Sequence, residues 1–127
     1  LERLHALKTG ALLRCAVRLG AAAAGAHGDA RTALDGYAEA LGLAFQIRDD
    51  LLDIDGDSAT LGKTAGKDAA QNKATFPALL GREASEARLQ ALSLAMHAAL
   101  DAPALRAAPG EVAALALLAR QVVERAH

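Results

Sequence analysis

The apolar residues of this chain recur at the spacing of an α-helix. Near the start they fall every three or four residues, at Leu4, Leu7, Ala11, Cys15 and Leu19, close to one stripe of a helix. The hydrophobic share is 53% but the aromatic share is only 2%, and alanine and leucine supply most of it. Because these residues favour helices whereas strands need β-branched and aromatic residues, we expect an all-α antiparallel helical bundle.

Glycine and proline predict where the helices break. Gly25 and Gly28 end the first helix, and Asp29 is a suitable N-cap for the second. Gly36 and Gly42 lie inside that second helix, where each costs about 1 kcal/mol, so we expect close packing of a neighbouring helix to compensate. Helices are predicted at 1–24, 30–54, 82–101 and 111–125, with a polar loop at 55–76 and a short turn from Pro77 to Gly81.

Charge and cysteine content narrow the class of protein. The net charge of −1 gives no indication of nucleic acid binding, and no apolar run reaches the roughly 18–20 residues that span a bilayer. The first residue is not Met and the helical pattern is already running by Leu4, so we expect the chain to begin inside a helix, without a signal peptide. The single cysteine excludes an internal disulfide and fits a reducing cytoplasm; we predict Cys15 to be a small core residue.

Three aspartates form the sequence motif that points most directly to a chemical function. Asp49 and Asp53 are one turn apart on a predicted helix, and Asp50 lies about 100° round from Asp49. Like charges at this spacing repel, and at the predicted helix C-terminus the macrodipole disfavours them further. A bound cation would reverse both penalties, and oxygen ligands of this kind suit Mg²⁺. The alternative is a solvated acidic helix end.

The neighbouring residues favour a metal–diphosphate site. Gln46 lies one turn before the aspartates, and Lys8 and Thr9 lie in the first helix. Lysines that could neutralise phosphate charge follow in the polar loop, at Lys63, Lys67 and Lys73, although each alone would be an ordinary surface residue.

A calcium loop is a competing interpretation of the same region. Asp53, Asp55 and Asp57 follow the alternation of an EF-hand, but Ser58 stands where that loop needs glycine and Thr64 where it needs glutamate. We therefore disfavour Ca²⁺ binding of this type.

Several spaced runs together identify a family. Residues 8–13, 42–53, 56–63, 66–68 and 73–81 closely resemble the trans-isoprenyl diphosphate synthases, nearest to bacterial farnesyl and geranylgeranyl diphosphate synthases. The resemblance implies that residues 1–127 are the C-terminal part of a polyprenyl synthetase domain, the C-terminal portion of the isoprenoid synthase fold. It implies that the N-terminal half, with the first aspartate-rich motif and the isopentenyl diphosphate site, is not in this chain.

The resemblance also implies residue roles. Asp49, Asp50 and Asp53 would be the second aspartate-rich motif, which binds Mg²⁺ bridging to the allylic diphosphate. Phe45 matches a position that lines the site, and its alternative is a core residue. The remaining roles are diphosphate binding for Lys8, Lys63 and Lys73, a weaker position in the loop for Lys67, and catalysis, facing the allylic cation, for Lys8, Thr9 and Gln46.

By resemblance, the reaction condenses isopentenyl diphosphate with an allylic diphosphate (dimethylallyl or geranyl) to give farnesyl diphosphate in a cytoplasmic homodimer. Since the mechanism needs two facing aspartate motifs, we expect residues 1–127 to be inactive alone. The alternatives are a geranylgeranyl or longer-chain synthase, or a non-catalytic helical protein that only binds diphosphate or dimerises. A terpene cyclase also uses aspartate-rich metal sites, but the run from Gly62 and Lys63 to Pro77 argues against it.

Overall fold

The computed structural model describes residues 2–60, 75–106 and 109–126, and every regular element in these ranges is helical. The all-α prediction is therefore confirmed, with no strand in the described residues. None of these helices combines the length and the apolar character needed to cross a membrane. The helices are α1 (Glu2–Ala23), α2 (Gly28–Thr60), α3 (Phe76–Leu80), α4 (Arg82–Leu100), α5 (Pro103–Arg106) and α6 (Pro109–Glu124).

The turn between α1 and α2 contains the two predicted glycines. Gly25 and Gly28 have φ angles of +70° and +55°, a left-handed backbone that a Cβ atom disfavours. Helix α2 already begins at Gly28, so Asp29 lies in its first turn and its prediction as the N-cap is wrong. Its charge still suits the N-terminal end of the helix dipole.

Helix α2 is longer than predicted, because residues 55–60 continue it and do not begin a loop. The guanidinium of Arg82, at the start of α4, donates two hydrogen bonds to the Asp55 carboxylate, at 2.6 and 3.0 Å. This contact with a residue remote along the chain stabilises the additional residues of α2. The aspartate motif consequently lies well inside α2, where the unfavourable dipole effect expected at a helix end no longer acts.

The segment after residue 74 begins with a capped helical turn. The Thr75 hydroxyl accepts a hydrogen bond from the Ala78 N–H at 3.2 Å, and Pro77 occupies the first turn of α3. Gly81, with φ of +85°, separates α3 from α4 as predicted. The connection near Pro103 contains the short helix α5, which was not predicted, and α6 starts at Pro109, two residues before the predicted position.

Helix α2 is the centre of the bundle, because it contacts α1, α4 and α6, whereas α1 packs mainly on α2. The buried Tyr37 joins α2 to α6, where its hydroxyl donates a hydrogen bond to the Leu115 carbonyl at 2.8 Å. Burial raises the pKa of Tyr37 to about 12. The largest fully buried apolar side chains come from α2 and α4 and are Tyr37, Leu41, Ile47, Leu51, Leu89 and Met96.

Two contacts fix the register of α1 against α2. Gly10 faces Gly42 so closely that a Cβ atom on Gly42 would lie 3.3 Å from the Gly10 Cα. Further along, Arg18 donates a hydrogen bond to Asp35 at 2.8 Å. Residue numbers rise along α1 as they fall along α2, so the helices are antiparallel. The expected close packing is found at Gly42 and not at Gly36, where a Cβ atom would meet nothing within 4 Å.

The leucine stripe of α1 faces away from α2. Leu7 and Leu19 are 61% and 66% exposed, and Cys15 is exposed as well, so its prediction as a core residue is wrong. Helix α1 instead contacts the core through Val17 and Ala21. Small residues allow α1 and α2 to approach closely, which turns the larger side chains outwards.

Candidate metal and diphosphate site

The register of α1 on α2 brings the two predicted parts of the site to one end of the bundle. Because Gly10 lies opposite Gly42, Lys8 is level with Ala44. This level is five residues before Asp49, or about 7.5 Å along the helix axis. The Lys8 side chain is exposed and Thr9 is partly buried. Along the bundle axis, Lys8 and Thr9 therefore lie at a level one to two turns before Asp49.

The three aspartates have different surroundings. Asp50 accepts a hydrogen bond from the Gln46 amide nitrogen at 2.9 Å and another from the Phe76 backbone N–H at 3.3 Å. It thus connects the predicted site to the start of α3. Asp49 forms an ion pair with Arg125. Asp53 is exposed and has no side-chain partner within 2–60, 75–106 or 109–126.

The carboxylates form an open edge and do not form a closed cage. Within the ranges that the structure describes, no three acidic, histidine or cysteine side chains converge on one point. Asp49 and Asp53 share one face of α2, one turn apart. Two carboxylates that leave the remaining positions to water and phosphate oxygens are the donor set that Mg²⁺ takes in proteins, so these residues fit the ion.

Arg125 is a residue of this region that the sequence analysis missed. It follows the last residue of α6, where its backbone N–H donates to the Gln121 carbonyl at 3.0 Å. Its guanidinium pairs with Asp49 and lies 4.6 Å from the centroid of the Phe45 ring. Phe45 is therefore partly buried beside the motif, with a cation over its face. No local pattern indicates this contact, because Arg125 is remote from the motif along the chain.

Two ion pairs join α2 to α4 beside the motif. Arg48 contacts both carboxylate oxygens of Glu86, at 3.3 and 3.4 Å. The hydrogen bonds from Arg82 lower the pKa of the Asp55 carboxyl below its ordinary value. Since Asp53, Asp55 and Asp57 all lie on the continuous helix α2 and Asp55 is paired with Arg82, these residues do not adopt the loop that the calcium alternative needs. Lys63, Lys67 and Lys73 lie outside the described residues.

Comparison with known proteins identifies the family. The sequence profile of the family described as polyprenyl synthetase matches residues 1–107. The chain is 49% identical to farnesyl diphosphate synthase of Escherichia coli K12 over 126 residues, which are 98% of this chain and 42% of that protein. It is 42% identical to farnesyl diphosphate synthase of Geobacillus stearothermophilus over 127 residues, 100% of this chain and 41% of that protein.

A plant relative is named for a different product, geranylgeranyl pyrophosphate. The chloroplastic geranylgeranyl pyrophosphate synthase of Catharanthus roseus is 47% identical over 85 residues, 67% of this chain and 24% of that protein. The chain thus spans about two fifths of the bacterial relatives that it matches. The extent of the match shows that this chain belongs to the polyprenyl synthetase family.

Proposed function

We propose that this chain supplies the second aspartate-rich, Mg²⁺-binding part of a prenyltransferase that condenses isopentenyl diphosphate with an allylic diphosphate. The observation that carries the proposal is the position of Asp49 and Asp53 on one face of α2, in a member of the polyprenyl synthetase family. Support comes from Lys8 and Thr9, which the register of α1 brings towards the same end of the bundle.

The proposed roles follow from the contacts of each side chain. Magnesium, when bound, stabilises the negative charge that develops on the departing diphosphate. Asp49, Asp50 and Asp53 are proposed to hold the ion, and Lys8 to neutralise part of the remaining phosphate charge. Because the Gln46 amide nitrogen donates to Asp50, the amide oxygen is the atom that we propose to face the allylic cation. Lys63 and Lys73 are proposed as further diphosphate ligands and Thr9 as a second oxygen near the cation.

We further propose farnesyl diphosphate as the product. Support comes from the two bacterial farnesyl diphosphate synthases, which are 49% and 42% identical over 98% and 100% of this chain. Dimethylallyl and geranyl diphosphates would then be the allylic substrates. A cytoplasmic location and a homodimer, which the family resemblance implies, belong to the same proposal.

The 127 residues alone are proposed to bind substrate without turning it over. Their relatives are more than twice as long, and residues 1–127 contain one aspartate-rich motif where the mechanism needs two. A single motif can hold a metal and a diphosphate, but it cannot close on the diphosphate from both sides.

A chimeric enzyme tests the proposal. Residues 1–127 replace the matching segment of the Escherichia coli farnesyl diphosphate synthase, and the product is identified by mass spectrometry. We expect farnesyl diphosphate from the unchanged chimera and a loss of about 10²–10³-fold in kcat for Asp49→Asn, the usual effect of removing one group that stabilises transition-state charge. Asp29→Asn is the matched control, because Asp29 lies on the same helix in its first turn, about 30 Å from Asp49.

Three results would contradict parts of the proposal. Equal kcat for the Asp49→Asn and Asp29→Asn chimeras would exclude Asp49 from the site. A folded chimera that binds geranyl diphosphate but forms no product would favour the non-catalytic alternative. Product formed by residues 1–127 alone would contradict their inactivity.

A further inference from the structure

Arg125 forms an ion pair with the Asp49 carboxylate, which the proposed function assigns to a metal ion. Its Nη2 pairs with Asp49, and the two side chains are 29% and 42% exposed. The guanidinium also lies over the Phe45 ring, which holds it at this end of the bundle. Arg125 is therefore the positive group closest to Asp49 in the described part of the chain.

The Asp49–Arg125 pair is not a fully satisfied ion pair. The Arg125 Nε and Nη2 are buried, and neither makes a hydrogen bond within residues 2–60, 75–106 and 109–126, so the contact of Nη2 with Asp49 is an ion pair only. A buried N–H without an acceptor carries a desolvation cost, which reduces the net stabilisation that the pair provides. Arg125 consequently neutralises the charge of Asp49, but the pair is weak enough to be exchanged.

A divalent cation and this guanidinium compete for the negative charge of Asp49. A metal ion bound to the carboxylate would place two further positive charges within a few ångströms of Arg125, and the repulsion would act across a partly buried site. This repulsion favours the withdrawal of Arg125 from Asp49 when the ion binds. The face of Phe45 is within reach as a position that still favours a cation.

We propose that Arg125 is an exchangeable counter-ion of Asp49, a positioning residue that neutralises this carboxylate in the metal-free protein and is displaced by the incoming divalent cation. In this role Arg125 lowers the affinity for metal alone. The inference rests on the proposed function, because it takes Asp49 to be a metal ligand.

Metal affinity measured without any diphosphate tests the inference. Mn²⁺ is the probe, because it binds the same oxygen ligands as Mg²⁺ and its free concentration is measured by electron paramagnetic resonance. Removing an ion pair of this exposure is expected to tighten Mn²⁺ binding about two- to fivefold in Arg125→Gln. Arg120→Gln is the matched control, since Arg120 is an exposed arginine of α6, five residues before Arg125 and on another face. It should change the dissociation constant less than Arg125→Gln does.

A second measurement follows Arg125 itself. The ¹⁵Nε–¹H resonance of Arg125 should shift as Mg²⁺ is added to the wild-type chain and should not shift in Asp49→Asn. Arg125→Lys keeps the charge, so it should bind Mn²⁺ within about twofold of the wild type. Circular dichroism confirms the fold of each variant. If Arg125→Gln does not fold, the wild-type resonance carries the test, and an Arg125 signal that Mg²⁺ leaves unshifted would overturn the inference.

The outcomes separate this inference from the proposed function. If Arg125→Gln binds Mn²⁺ no more tightly than Arg120→Gln while Asp49→Asn abolishes binding, the counter-ion role is wrong and the metal site stands. If Asp49→Asn and the wild type bind Mn²⁺ equally, Asp49 is not a ligand and both claims are wrong.

Discussion

Replacing Gly42 by alanine adds one methyl group between α1 and α2. Its carbon would lie 3.3 Å from the Gly10 Cα and 3.7 Å from the Gly10 oxygen, both backbone atoms that cannot rotate away. Overpacking of this kind costs about 1–3 kcal/mol. Alanine is at the same time the better helix former by about 1 kcal/mol. We expect Gly42→Ala to lower the free energy of unfolding by about 0–2 kcal/mol.

Gly36→Ala is the matched control, because Gly36 lies on the same helix and a Cβ atom there would meet nothing within 4 Å. Only the helix propensity changes, so the free energy of unfolding should rise by about 0.5–1 kcal/mol. Urea unfolding followed by circular dichroism at 222 nm measures both variants. The difference between them isolates the cost of the close approach, expected at about 1–3 kcal/mol. Equal stabilisation by both substitutions would refute the α1–α2 register, and with it the placement of Lys8 and Thr9 near the aspartates.

Three further predictions concern Tyr37 and Asp55. Tyr37→Phe removes the hydrogen bond to the Leu115 carbonyl and should lower the free energy of unfolding by about 1 kcal/mol in urea; an unchanged midpoint would show that water replaces it. Tyr37 is the only tyrosine, so absorbance at 295 nm should report its ionisation near pH 12. Because the pKa of Tyr37 is raised on folding, its contribution to the free energy of unfolding is fully present below about pH 10 and is lost as the pH rises through 12. Titration near pH 10 in the folded chain would contradict its burial. Asp55 has a lowered pKa, so its ion pair with Arg82 stabilises the folded chain above pH 3.8, the ordinary pKa of the carboxyl, and this stabilisation is lost as the pH falls through the pKa of the folded state. Asp55→Asn should therefore reduce the dependence of the melting temperature on pH between about pH 5 and 2. An unchanged dependence would count against the pair.

The parts of the fold that follow from local chemistry were predictable. Alanine and leucine favour helices wherever they occur, and the glycines at 25, 28 and 81 act within a single turn. The additional turns of α2 were not predictable, since Asp55 is held by an arginine 27 residues away. The exposure of Cys15 was missed for a different reason: helical spacing shows which residues share a face, but it does not show which face packs against the neighbouring helix.

The candidate site likewise contains features that the sequence predicts and one contact that it does not. The spacing of Asp49 and Asp53 predicts that they share one face of a helix, and the Gln46 to Asp50 hydrogen bond agrees with a separation of one turn. Arg125 carries no sequence signal, because only the packing of α6 against α2 brings it to Asp49. Its pairing changes the electrostatic argument: the repulsion between Asp49 and Asp53 is relieved by an arginine of the chain before any metal binds.

The central claim is that Asp49 and Asp53 bind a diphosphate through a divalent cation. Isothermal titration of the chain with geranyl diphosphate, with and without Mg²⁺, tests it most directly. We predict binding that requires Mg²⁺, is retained in Asp29→Asn and is weakened at least about tenfold in the double variant Asp49→Asn, Asp53→Asn, a loss of about 1.4 kcal/mol or more. Equal binding without Mg²⁺, or undiminished binding by the double variant, would contradict the claim.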